Sequence, residues 1–147
     1  MALWQTGFMM VPKDKLYSNS NIETVDISSL WSGYNIKQDS IDEVEKVLKR
    51  TKSWSEDIVQ LGDISGTVIE IFYAEDMIDE VTCRLDLRNI NTKIIDSILN
   101  FISANNIAII AGNKVYLAPN RESILEIMKK SDAYRFIENP QKFLEGI

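Results

Sequence analysis

The chain contains no histidine, and that absence removes more chemistry than any other feature of its composition. Histidine is the one side chain whose unperturbed pKa lies in the physiological range, and it is the commonest metal ligand. Ser-His-Asp and Cys-His hydrolases, histidine-held zinc and most simple acid–base mechanisms are thereby excluded. Carboxylate chemistry with a hard metal ion, and lysine chemistry, stay open. Cysteine is almost as scarce: Cys83 stands alone, so no intramolecular disulfide can form, and a lone thiol fits a reducing compartment. The six glycines (Gly7, Gly33, Gly62, Gly66, Gly112, Gly146) are dispersed and build no Walker or dinucleotide pattern. Gly62-Asp63-Ile64-Ser65-Gly66 comes nearest, but it leads into a strand pattern and reads as a turn. No apolar run approaches the roughly 20 residues that cross a bilayer. Met1–Met10 has neither a basic stretch nor a small-residue cleavage site, so no signal peptide is expected. The expectation is a cytoplasmic protein with no membrane partner.

Basic residues are missing from one stretch in particular. Between Glu56 and Asp86 lie Glu56, Asp57, Asp63, Glu70, Glu75, Asp76, Asp79, Glu80 and Asp86, against Arg84 alone. Nine negative charges minus one positive give −8 there, which leaves +2 for the rest of a chain whose net charge is −6. Such a field repels nucleic acid and favours a basic partner, although a solvated hairpin would look the same. Lys46, Lys49, Arg50 and Lys52 form the one basic cluster, and the macrodipole of a preceding helix already accounts for it.

What is present suits one domain of 147 residues with a full hydrophobic core. Leu3–Val11 reads as a strand ended by Pro12, and the polar stretch from Asp14 to Asp39 as a long, mostly irregular connection with apolar islands at Ile22, Val25, Ile27, Leu30 and Trp31. Ser40-Ile41-Asp42-Glu43 matches a capping box, which predicts a helix from about Ile41 to Lys52. A short strand over Ile58–Leu61 and two strong ones, Thr67–Tyr73 and Ile78–Leu87, follow. In the last of these, Val81, Cys83, Leu85 and Leu87 share one face, and Thr82, Arg84, Asp86 and Arg88 the other. Asn91 and Asn120 can cap two further helices, with a Gly112-Asn113 hairpin between them. Asn139-Pro140 suits the start of a short last helix. The predicted fold is α+β: a two-layer, mostly antiparallel sheet with helices on one face, a ferredoxin-like βαββαβ core, an added hairpin strand and C-terminal helices.

Two surfaces stand out as candidates. One is the acidic hairpin with Glu75, Asp76, Asp79 and Glu80. The other is the charged sheet face with Glu70, Arg84, Asp86 and Arg88, which would serve a small enzyme or ligand-binding domain, or else hold cross-strand ion pairs of little worth. Glu75-Asp76-Met77-Ile78-Asp79-Glu80 lacks the spacing and central glycine of a calcium loop, so neither metal nor cofactor is expected. Cys83 lies on the apolar parity and reads as a buried hydrophobe. Core packing is the expectation for Trp4 and Trp54. Trp31, in a polar connection, is a candidate binding anchor.

Leu30-Trp31-Ser32-Gly33, Trp54 after a helix, the Cys83-Arg84-Leu85-Asp86-Leu87-Arg88 strand, and the closing Ser131–Phe136 and Asn139–Leu144 segments form a pattern. It resembles the small acidic immunity proteins of bacterial polymorphic and contact-dependent toxin systems. The resemblance implies a non-enzymatic inhibitor that binds a basic toxin domain stoichiometrically. The competing expectation is the sheet-face site, and an accessory domain pairing through its sheet edges is a third.

Overall fold

The computed structural model describes residues 1–16 and 26–145, so Ile22 and Val25 lie outside the described residues. The strands are β1 (Gln5–Pro12), β2 (Arg50–Thr51), β3 (Ile58–Gly62), β4 (Val68–Ala74), β5 (Met77–Asp86), β6 (Ile107–Ala111) and β7 (Lys114–Tyr116). They form one sheet in the order β2-β3-β4-β5-β1-β6-β7, with every pairing antiparallel. The helices are α1 (Lys13–Leu16), α2 (Ile27–Leu30), α3 (Gln38–Glu45), α4 (Thr92–Ala104), α5 (Arg121–Lys129), α6 (Asp132–Glu138) and α7 (Pro140–Glu145). The fold is α+β. Its centre, β4-β5-β1-β6, is the βαββαβ order: the path from β1 through α3 to β4 steps over β5, and that from β5 through α4 to β6 steps over β1. Strands β2 and β3 extend this core on one side and β7 on the other.

Strand alternation decides which layer each side chain joins. Met10 pairs with both Val81 and Ile109, and Phe8 with Cys83, so these residues share a face. On that face they pack with Ile69, Ile71 and Leu85 against Ile41 and Val44 of α3, Ile98 and Phe101 of α4, and Ile124 of α5. Each fully buried Ile or Leu contributes about 1.5–3 kcal/mol by leaving water. The opposite face carries a smaller cluster, in which Val11, Ala108 and Ile110 meet Leu16 of α1 and Leu30 of α2. The longer helices therefore cover one face, as expected, while the two short ones patch the other.

Local chemistry explains most boundaries. Asn91 accepts from the Ile94 N–H and Asn120 from the Ser123 N–H, so both predicted caps are present. Asn139 likewise accepts from Lys142 N at the start of α7. Gly62 closes β3 at a φ of +108°, and a Cβ there would overlap the Thr67 carbonyl oxygen, so the turn into β4 needs glycine.

The first long helix departs from its predicted form. It begins at Gln38, and Ser40 donates its hydroxyl to Lys37 O at 2.6 Å instead of closing a box with Glu43. Asn105, at the end of α4, supplies the missing partner. It accepts from Lys37 N and donates to Ser40 Oγ and to Phe101 O, each at 2.8 Å. The helix also stops early, at Glu45, because Arg50–Thr51 pairs with Leu61 and Gln60 as β2. The basic cluster thus lies mainly in a turn and an edge strand, beyond the helix.

The tryptophans are the other correction. Trp31, a candidate binding anchor for which core packing was equally open, is 2% exposed and donates its indole N–H to Met10 O at 3.1 Å, so it is a core residue. Trp54, expected in the core, is 84% exposed. Trp4 is half-buried, with the Arg88 guanidinium 3.8 Å over its ring and its N–H bonded to Ser65 O.

Candidate functional site

The acidic residues gather at one end of the sheet because of how β3, β4 and β5 meet. Tyr73 donates its N–H to Asp57 O at 2.8 Å, which sets Glu56 and Asp57 beside the end of β4. Ala74 pairs with Met77, leaving a two-residue turn of Glu75 and Asp76. Both have positive φ, 52° and 65°, as the tightest hairpin turn requires. One step further, Phe72 pairs with Glu80 and Tyr73 with Ile78, so Asp79 is an extra residue in a bulge. The bulge puts both Ile78 and Val81 into the core although they are three apart, and it leaves Asp79 exposed. Six carboxylates result, from Glu56, Asp57, Glu75, Asp76, Asp79 and Glu80, all exposed except the half-buried Glu80. Trp54 and Met77, 84% and 52% exposed, belong to the same end. Burial, then Asp79, then Glu70 raise the pKa of Glu80 above its ordinary value.

The charged sheet face divides into two separate pairs. Glu70, directly across from Thr82, is 2% exposed, and its Oε1 lies 3.3 Å from Arg84 Nη2. Asp86 is 6% exposed and takes a bidentate contact from Arg88, with Nε at 3.0 Å and Nη2 at 2.9 Å. Arg88 also lies on Trp4 and reaches towards Ser65 O, while Gln5 Nε2 donates to Ile64 O and Gly66 O. Asp86 and Arg88 therefore belong to a clasp that ties the start of β1 to the β3–β4 turn. They line an open pocket of about 640 Å³, whereas Arg84 lines a different one. Glu70 and Asp86 do not face each other as a catalytic pair would: Glu70 is in register with Thr82, and Asp86 with Gln5. Burial alone pushes the Cys83 thiol far above its ordinary value, which leaves it protonated and unreactive.

Among the described residues no three histidine, cysteine, aspartate or glutamate side chains gather as a metal-holding group, and no helix is long and apolar enough to cross a membrane. No protein-family model, curated protein or solved structure matches the chain.

Of the residues singled out in the sequence, the structure brings Glu75, Asp76, Asp79 and Glu80 together at the acidic end. It pairs Glu70 with Arg84 and Asp86 with Arg88, and it removes Trp31 to the core. Trp54 at the acidic end was misread. Its immediate neighbours Lys52, Ser53, Ser55, Glu56 and Asp57 are polar, but Ile58 stands four positions on, so spacing alone did not mark the ring as exposed.

Proposed function

We propose that the protein is a non-enzymatic binding domain that neutralises a basic bacterial toxin in the cytoplasm, occluding it stoichiometrically with the acidic end of β3, β4 and β5. The observation that carries this reading is the hairpin tip. A two-residue turn with positive φ at both positions favours Asn-Gly, yet here it holds Glu75 and Asp76, two adjacent like charges with a side chain in the left-handed region at each. Residues that break a local rule without structural gain mark functional positions. An end of the sheet that carries six carboxylates and an exposed indole suits a cationic partner in two ways. The charges steer encounter, and Trp54 offers a face to a lysine or arginine. The resemblance to immunity proteins supplies the biological setting.

The test is co-expression of the tagged protein with the product of its neighbouring reading frame, followed by pull-down at low and at high salt. A one-to-one complex with a basic, toxic neighbour, weakened by salt, is the expected result. Recovery of the protein alone under both conditions would count against it.

A further inference from the structure

On the sheet face opposite α3, α4 and α5, an open cavity of about 430 Å³ is lined by Met9, Phe72, Glu80, Thr82, Arg84 and Ile110. Strand register builds it. Thr82 stands between Glu70 and Met9, Met9 pairs with Ile110, and Phe72 with Glu80. A polar row on β5 therefore runs between apolar side chains on its neighbours. The volume falls within the roughly 300–1,000 Å³ typical of small-molecule sites.

Two groups here are chemically unfinished. Glu70 is 2% exposed, and among the described residues no donor hydrogen-bonds its Oε1. Arg84 Nη2 is near enough, at 3.3 Å, for charge pairing but not placed for a hydrogen bond. A buried carboxylate oxygen without a donor is costly and calls for an explanation. Its effect is to fix a guanidinium charge at the cavity wall. Among the described residues that guanidinium donates no hydrogen bond, so its fork of N–H groups is unspent. Glu80, four residues before Arg84 on the same strand face, puts a carboxylate at the other end of the row.

We propose that this cavity binds a small zwitterion with an apolar side chain, a free amino acid or a dipeptide. Its carboxylate sits on the Arg84 fork, its ammonium on Glu80, and its side chain against Met9, Phe72 and Ile110. The mixed wall selects this class: a simple cation would meet Arg84, and a simple anion would meet Glu80. Thr82, between them, can donate to or accept from the ligand's polar atoms. Of the acidic-end carboxylates only Glu80 lines the cavity; Glu56, Asp57, Glu75, Asp76 and Asp79 do not, so ligand binding here is tested separately from binding of a basic protein.

Isothermal titration with L-phenylalanine and L-leucyl-L-leucine tests it, using N-acetyl-phenylalanine and phenylalaninamide as analogues that lack one charge each. The expected result is saturable binding of the free zwitterions, with each capped analogue about tenfold weaker or worse, the value of one charge-assisted hydrogen bond. Glu80→Gln should weaken L-phenylalanine by a similar factor and leave N-acetyl-phenylalanine unchanged. Arg84→Lys keeps a positive charge beside Glu70 and so separates loss of the fork from loss of the fold, which near-UV circular dichroism monitors. It should weaken L-phenylalanine and leave phenylalaninamide unchanged. No saturable heat from any compound up to about 10 mM would overturn the proposal, as would capped analogues that bind as well as the zwitterions.

Discussion

Single side chains show how far composition can mislead about burial. Trp31 sits among serines and a glycine, yet it is the largest of the fully buried side chains and gives its N–H to the β1 backbone. Trp54 follows a basic cluster and projects into solvent. Nothing local separates them, because Trp31 is buried by parts of the chain distant in sequence, β1 supplying the Met10 carbonyl that accepts its N–H. Their energetics must differ accordingly. Trp31→Ala should destabilise the protein by about 3–5 kcal/mol, the usual cost of emptying a buried aromatic site. Trp54→Ala should stay within about 0.5 kcal/mol of wild type, since it removes no buried contact. Urea unfolding curves for the two variants check the contrast, and a large loss for Trp54→Ala would show that its ring packs against the protein. Cys83 is the opposite case. Its place in an alternating strand identified it as a buried hydrophobe, because alternation is a local property of the chain.

Three helices were legible because their starts are capped by their own sequence, whereas α6, capped by Ser131, went unread. Asn91, Asn120 and Asn139 cap from within, and the three helices begin where those residues predict. The α3 helix is capped from outside by Asn105, 68 positions from Lys37 along the chain, so Ser40 and Glu43 gave a false start. Asn105→Ala, which deletes three hydrogen bonds, should cost about 1–2 kcal/mol. Glu43→Ala should be nearly neutral, since Glu43 makes only an exposed pair with Lys46. Equal losses in thermal unfolding would restore the capping box. The bulge at Asp79 was equally hidden, because the strand carries apolar residues on both sides of it and the pairing alone reveals the extra residue.

The joint between β7 and α5 offers a pH test at the same scale. Glu126 accepts from Lys130, Lys114 and Tyr116, which hold its pKa down at about 2, against an ordinary value of 4.5. A folded-state value below the unfolded one means that the contribution is complete above about pH 4.5 and disappears as pH falls towards 2. Glu126→Gln should flatten the acid limb of the stability curve in that window and leave its slope at neutral pH unchanged. An acid limb identical to wild type would show that these contacts are not held in solution.

At the scale of the whole molecule, the charge asymmetry and the βαββαβ core were legible, and the edge strand β2 was not. A count along the chain located the −8 stretch. Two of its carboxylates, Glu70 and Asp86, turn out to be buried against Arg84 and Arg88. Of the remaining seven, six face solvent together at one end, those of the hairpin, Glu56 and Asp57, while Asp63 is exposed in the β3–β4 turn at the other end. Which strands became edges depended on pairings no local pattern encodes, as the short β2 shows.

The most direct measurement is the affinity of Glu75→Asn/Asp76→Gly for the co-purified basic partner, taken alongside its thermal stability. The substitution gives the turn the residues it favours and removes two charges from the centre of the proposed contact face. If the acidic tip exists for binding, stability should rise by about 1 kcal/mol while affinity falls about tenfold or more, through faster dissociation and a weaker salt dependence. Unchanged affinity in a stably folded variant would contradict the acidic end as the site of action.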